Sequence, residues 1–321
     1  MPRAVGRAHT LAALVAVAAL LSGAALLGVA WAAGFAAVWR LLLHPHWEWM
    51  AVALGAELLA YLGYTFAYRD AARAEGGAEL ETQKAAALVA TGFGVFLQGG
   101  GFALDREALR RSGLSADEAR KRVLALGALE YAVLAPATTV AATLVFFRTR
   151  GVSWSLTLPW MIGVPVGASL ALLALRHRRR LERPNGWRAA LGRGLAAIDL
   201  VFCIIRSPRT FGLGLAGITA YWIGDISCLW AALHIFDAHT PPTSQLVLGY
   251  ATGYAITRRA LPLGGAGIVE ALLPFALGWV AISLPKAFLA VVMYRAVNLW
   301  LPMIPALAAI PALARLQSRS R

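Results

Sequence analysis

The sequence predicts an all-α integral membrane protein of about eight transmembrane helices, with at least one re-entrant or broken segment. Three observations lead there. The 321 residues are 59% hydrophobic and only 14% charged. Apolar runs long enough to cross a bilayer recur along the chain. The 30 Lys and Arg residues gather in short blocks between those runs. In a soluble fold the runs would leave far more apolar surface than one core could bury, so the bilayer has to act as the solvent.

A helix rises 1.5 Å per residue, so about 20 residues cross the hydrocarbon core. On that ruler spans are expected near 11–38, 48–67, 123–147, 156–175, 211–236, 244–260, 268–284 and 287–312, all within a single polytopic domain, 1–321. Residues 1–10 form a cytoplasmic tail carrying Arg3 and Arg7. The apolar stretch that follows, with Ala30-Trp31-Ala32 near its end, resembles a signal peptide, but it exceeds a signal core in length and reads as a retained first helix.

The piece Ala85 to Leu104 differs from the other spans. Gly92, Gly94, Gly99, Gly100 and Gly101 interrupt it, and Arg106, Arg110, Arg111, Arg120, Lys121 and Arg122 follow. A full crossing would move all six basic residues to the opposite side, against the rule that short cytoplasmic loops collect Lys and Arg. Residues 85–122 are therefore expected to form a re-entrant segment followed by a cytoplasmic basic helix. With the N-terminus inside, 25 of the 30 basic residues are cytoplasmic, and only Arg40, Arg148, Arg150 and Lys286 fall outside. N-in, C-in topology follows.

The net charge of +14 would suggest nucleic acid in a soluble protein. Placed in interhelical blocks, the same charge sets topology and attracts anionic headgroups, so membrane phospholipid is the expected partner and nucleic acid is not. Between 176 and 209, Trp187, Leu191, Leu195, Ile198, Phe202 and Ile205 recur at steps of three and four. They predict a cytoplasmic interfacial amphipathic helix on the inner leaflet, the alternative being a helix packed on neighbouring spans.

Ionisable residues inside spans are costly and normally face partners or water. Glu57, Glu130, Asp225, Glu270 and Arg295 are candidates on that ground, either as functional groups or as glue between helices. The sharpest local feature is Leu261-Pro262-Leu263-Gly264-Gly265-Ala266-Gly267-Ile268-Val269-Glu270. Broken backbone at membrane depth must be buried in protein or line a wet cavity, and a helix N-terminus there can hold an anionic headgroup. A plain interhelical loop is the competing reading. Gly99-Gly100 precedes Glu130 by the same 31 residues that separate Gly264-Gly265 from Arg295, which is either an internal repeat or coincidence. His234, Asp237 and His239 lack ligand spacing for a metal, no cofactor is expected, and no catalytic motif is present. Cys203 and Cys228 read as small apolar residues.

The glycine break, Glu270, Tyr294-Arg295 and Trp300-Leu301-Pro302, with Gly99-Gly100, Leu109 to Ser115 and Glu130 before them, resemble the lysylphosphatidylglycerol synthase transmembrane-region family. The resemblance runs from about residue 50 onward. Leu263 stands where the family usually has proline, Tyr131 where it has a basic residue, and Gln98 precedes the first glycines. Members resemble the flippase portion of the bacterial multiple peptide resistance factor, and a stand-alone member without the aminoacyl-transfer domain of the fused proteins is expected. The resemblance implies a bacterial inner-membrane phospholipid translocase for anionic or aminoacylated headgroups, not an enzyme. Its headgroup path would use Gly99, Gly100, Gly264, Gly265, Gly267, Glu130, Glu270 and Arg295, with Glu57 and Asp225 as secondary candidates, and Glu270 and Glu130 facing Arg295 or a cationic headgroup. An accessory membrane subunit of a lipid-modifying enzyme is the alternative, and a membrane-embedded transferase using Glu57 and Asp225 as bases is a third.

Overall fold

The computed structural model describes residues 2–94, 101–149, 152–177, 187–255 and 265–303. Twelve α-helices and no strand occur among them. In chain order they are α1 Pro2–Ala33, α2 Phe35–Leu42, α3 Glu48–Arg73, α4 Thr82–Gly94, α5 Gly101–Arg111, α6 Ala116–Arg148, α7 Trp154–Arg176, α8 Trp187–Arg206, α9 Pro208–Ile235, α10 Thr243–Tyr250, α11 Ile268–Gly278 and α12 Leu284–Arg295. A π-helical turn, Ala251–Ala255, continues α10, and a second, Ala296–Trp300, continues α12.

Among the described residues six helices are long and apolar enough to cross a membrane: Val15–Ala33, Glu48–Gly76, Ala116–Arg148, Trp154–Arg176, Pro208–Ile235 and Leu284–Met303. Of the other two expected spans, 244–260 is described up to residue 255 as α10 and its π-turn, and 268–284 begins with the short helix α11. Of these, α11 has 11 residues and reaches about 16 Å, roughly half of a bilayer core. Positive φ at Gly265 (71°) and Gly267 (85°) marks the turn that precedes α11. The first-half piece is described as α4 and α5, and residues 95–100 between them lie outside the described residues.

Local chemistry explains the boundaries. Helix α5 ends at Gly113 (φ 96°), where Gly113 and Leu114 N–H groups bond back to the Arg110 and Leu109 carbonyls. The Ser115 hydroxyl then caps α6 by accepting the Glu118 N–H at 3.2 Å. The sequence Leu109 to Ser115 is thus a helix stop and the next helix start. Pro136 lies inside α6, and the Thr138 and Thr139 hydroxyls donate to the Leu134 and Ala135 carbonyls beside it. Gly34 (φ 85°) separates α1 from α2.

The chain forms two compact units, one comprising Met1–Leu58, Ala90–Leu104 and Gly224–Arg321, the other Leu59–Val89 and Asp105–Ile223. In the first unit α11 packs on α12, α1, α10 and the 251–255 turn. Val29, Ala30, Val38, Ile235, Phe236, Phe288 and Leu289 form an apolar cluster there. In the second unit α8 packs on α6 and α7 through Leu195, Leu200, Val201 and Ile204. That buried face is rotated from the expected 176–209 stripe and leaves Ile205 42% exposed, because α6 and α7 select the face that fits them. Residues 178–186 lie outside the described residues.

Candidate functional site

The first unit buries four ionisable side chains, Glu57, Asp225, Glu270 and Arg295, and joins them into two linked groups. Glu270 is the third residue of α11, and its carboxylate folds back to accept the Gly267 N–H at 2.8 Å. That is the acidic half of a capping box, made possible at the turn by Gly267. The other oxygen accepts Arg295 Nε at 2.9 Å and the Ser22 hydroxyl at 3.3 Å. Arg295, from the last turn of α12, also lies over the Tyr254 ring at 5.8 Å. Both members of the pair are about 2% exposed or less.

The second group is organised by Asn298, which lies in the Ala296–Trp300 π-turn. Its Nδ2 donates to both Glu57 oxygens, at 3.3 and 3.2 Å, and to Asp225 Oδ1 at 2.6 Å. Its Oδ1 accepts the Tyr254 hydroxyl at 2.9 Å, which fixes the amide's orientation. The Tyr294 hydroxyl donates to Asp225 Oδ1 at 3.0 Å, and Tyr250 donates to Oδ2. Tyr254 sits in the 251–255 π-turn, so both π-turns serve this site. Turns of this kind re-aim side chains by about one residue and recur at functional positions.

Gly267 also sets the distance to α1. A methyl group there would come within 3.0 Å of the Leu21 carbonyl oxygen. The close approach of α1 brings Ser22 to Glu270. The arrangement amounts to an anion cradle, built from a guanidinium, a helix-start amide and a hydroxyl, that is occupied by the protein's own carboxylate.

Of the sequence candidates, Glu270, Arg295, Gly265 and Gly267 come together, and Glu57 and Asp225 join through Asn298. Glu130, expected with Glu270 to face Arg295 or a cationic headgroup, belongs to the second unit, buried in α6, where its backbone carbonyl accepts Trp222 Nε1 at 2.9 Å. Arg295 is matched by Glu270 because α11 and α12 are adjacent in sequence and pack directly. Gly99, Gly100 and Gly264, with Leu263, lie outside the described residues. Sequence reasoning missed Ser22, Tyr250, Tyr254, Tyr294 as a ligand of Asp225, and Asn298. The available signal was the row Tyr250, Tyr254 at i, i+4, and Tyr294, Asn298 at the same step.

Comparison with known proteins decides the family: a model described as the lysylphosphatidylglycerol synthase TM region matches residues 11–306. The chain belongs to that family. It is a multi-pass membrane protein of all-helical fold. No curated protein matches it.

Proposed function

We propose that this family member is a phospholipid translocase of the bacterial inner membrane, with both termini cytoplasmic, acting on anionic or aminoacylated headgroups without catalysing a covalent reaction. The observation that carries the reading is the cradle at the start of α11, where Arg295, the Gly267 amide and Ser22 hold the Glu270 carboxylate. A carboxylate and a phosphodiester present the same kind of acceptor to these donors. In this reading Glu270 keeps the cradle filled and satisfied while no lipid is present. An arriving phosphate takes its place on Arg295, and the displaced carboxylate meets the headgroup's ammonium or a proton. The basic residues gathered between the apolar runs favour cytoplasmic termini.

Reconstitution in liposomes tests this. Movement of fluorescent phosphatidylglycerol, aminoacyl-phosphatidylglycerol and neutral lipid analogues is followed by dithionite quenching. Wild-type protein should move the first two, and Arg295→Lys, which keeps the charge but loses the Nε–H geometry, should slow them about tenfold or more. Folded wild-type protein that moves none of the lipids would overturn the translocase reading and favour an accessory subunit of a lipid-modifying enzyme.

A further inference from the structure

Glu57 on α3 and Asp225 on α9 lie outside the cradle, but an unbroken line of contacts runs from them to its guanidinium. The Asn298 amide nitrogen donates to both carboxylates, most closely to Asp225 Oδ1 at 2.6 Å. The amide oxygen accepts the Tyr254 hydroxyl at 2.9 Å. The Tyr254 ring then lies under Arg295, with the guanidinium carbon 5.8 Å from its centre. Two further rings pin that ring in place, Tyr250 at 5.2 Å and Tyr294 at 5.5 Å, the latter edge-on at 84°. All of these residues are in the first unit, and the three tyrosines are buried. A close approach brings Tyr254 there. A methyl group at Gly253 would come within 2.7 Å of Leu273 Cα, so the π-turn rests against α11, the helix that carries Glu270.

An amide offers an acceptor on one side and donors on the other. With its oxygen held by Tyr254, Asn298 turns its N–H groups to the carboxylates. Without that hydroxyl the amide can turn over and set its oxygen against them, and buried acceptors facing each other are costly. The tyrosine and the carboxylate pair therefore hold each other in place through Asn298. An aromatic face attracts a guanidinium without occupying its N–H groups. The ring thus stays under Arg295 when the Glu270 carboxylate is exchanged for another anion, and a guanidinium already in position loses less freedom on binding.

We propose that Tyr254 is the positioning residue of the cradle, and that the Glu57–Asp225 pair governs anion exchange at Arg295 through Asn298 and Tyr254. The proposal rests on the reading of the cradle as a phosphate site and gives the other two buried carboxylates of the unit a part in it. They lock the ring that keeps the guanidinium in place, so that an arriving phosphodiester meets Arg295 already aimed.

The test measures binding of short-chain phosphatidylglycerol to the full purified chain in detergent by titration calorimetry. Affinity is read on the folded fraction, so a loss of stability alone does not move it. Tyr254→Phe keeps the ring and removes the hydroxyl, and should weaken binding about 3- to 10-fold. Tyr254→Leu, which removes the ring as well, should weaken it further. Asn298→Ala cuts the same line one step away, so it should match Tyr254→Phe, and the double variant should be no weaker than either single one. Where Asn298→Ala does not fold, Tyr254→Phe decides alone, because phenylalanine fills the same volume. Wild-type affinity in Tyr254→Phe, or losses that add in the double variant, overturns this proposal and leaves the cradle standing. No saturable binding by folded wild-type protein overturns the cradle as a phosphate site, and this proposal with it.

Discussion

The first unit places its charged groups in the middle of packed helices, where Glu270 meets Arg295 and where Glu57 and Asp225 meet a single amide. The second unit ties two of its buried charges, Arg122 and Asp70, to backbone near helix ends. Arg122, near the start of α6, donates to the Ala72 and Ala74 carbonyls at 3.0 and 2.8 Å and to Glu118. Asp70, near the end of α3, accepts the Gly214 N–H at 2.7 Å and pairs with Arg73 at 2.9 Å. A charge bonded to backbone carbonyls cannot be exchanged for a ligand without opening the fold. A carboxylate held by a guanidinium, one amide and one hydroxyl can be exchanged for another anion. The contrast separates staples from a site.

The largest expected effect comes from breaking the pair that defines the first pattern. Arg295→Met leaves Glu270 buried beside an apolar group and should cost about 3–5 kcal/mol, measured by denaturant titration in detergent micelles. The double change Arg295→Met with Glu270→Leu should cost less than the single one; a sum of the two single losses would mean that the pair is not coupled. Arg122→Ala should cost about 2–3 kcal/mol by orphaning two carbonyls, and should do so without changing lipid movement. If it abolished transport at intact stability, the distinction between staple and site would collapse.

Gly217→Ala sharpens the comparison from the packing side. A methyl group at Gly217 would lie 2.4 Å from the Gly63 carbonyl oxygen, and one at Gly63 would meet the Gly217 carbonyl at 2.4 Å, so α3 and α9 touch backbone to backbone. Such contacts hold helices together in lipid, where apolar surface gives no driving force. The substitution should cost about 1–3 kcal/mol in the same titration. The smallest effect belongs to Asp105, buried on α5. Its pKa in the folded chain, about 7, exceeds its value when unfolded, so its contribution is complete below about pH 4 and is lost as pH rises through 7. The Tm of wild type should therefore fall more steeply than that of Asp105→Asn across that window, and parallel profiles would mean that burial leaves its pKa unshifted.

Helix content, the six long apolar helices and the turn at Gly265 and Gly267 were legible in the sequence, because hydropathy and glycine act locally. Glu270 and Arg295 were legible for a similar reason: a charge in an apolar run stands out alone. Asn298 and the tyrosines were not, since neutral polar side chains are ordinary in membrane helices and acquire meaning only when a distant carboxylate reaches them. Asn298 finds Glu57 at a separation of 241 residues, a pairing that no spacing rule announces.

Ser22 and Glu270 are separated by 248 residues. At translation rates of about 5–20 residues per second, roughly 10–50 s pass between synthesis of the two. For that interval the face of α1 carrying Leu21 and Ser22 has no Gly267 to receive it. Helix α1, made long before α11, therefore completes its packing late, and a membrane insertase or chaperone that shelters nascent α1 would govern the yield of folded protein.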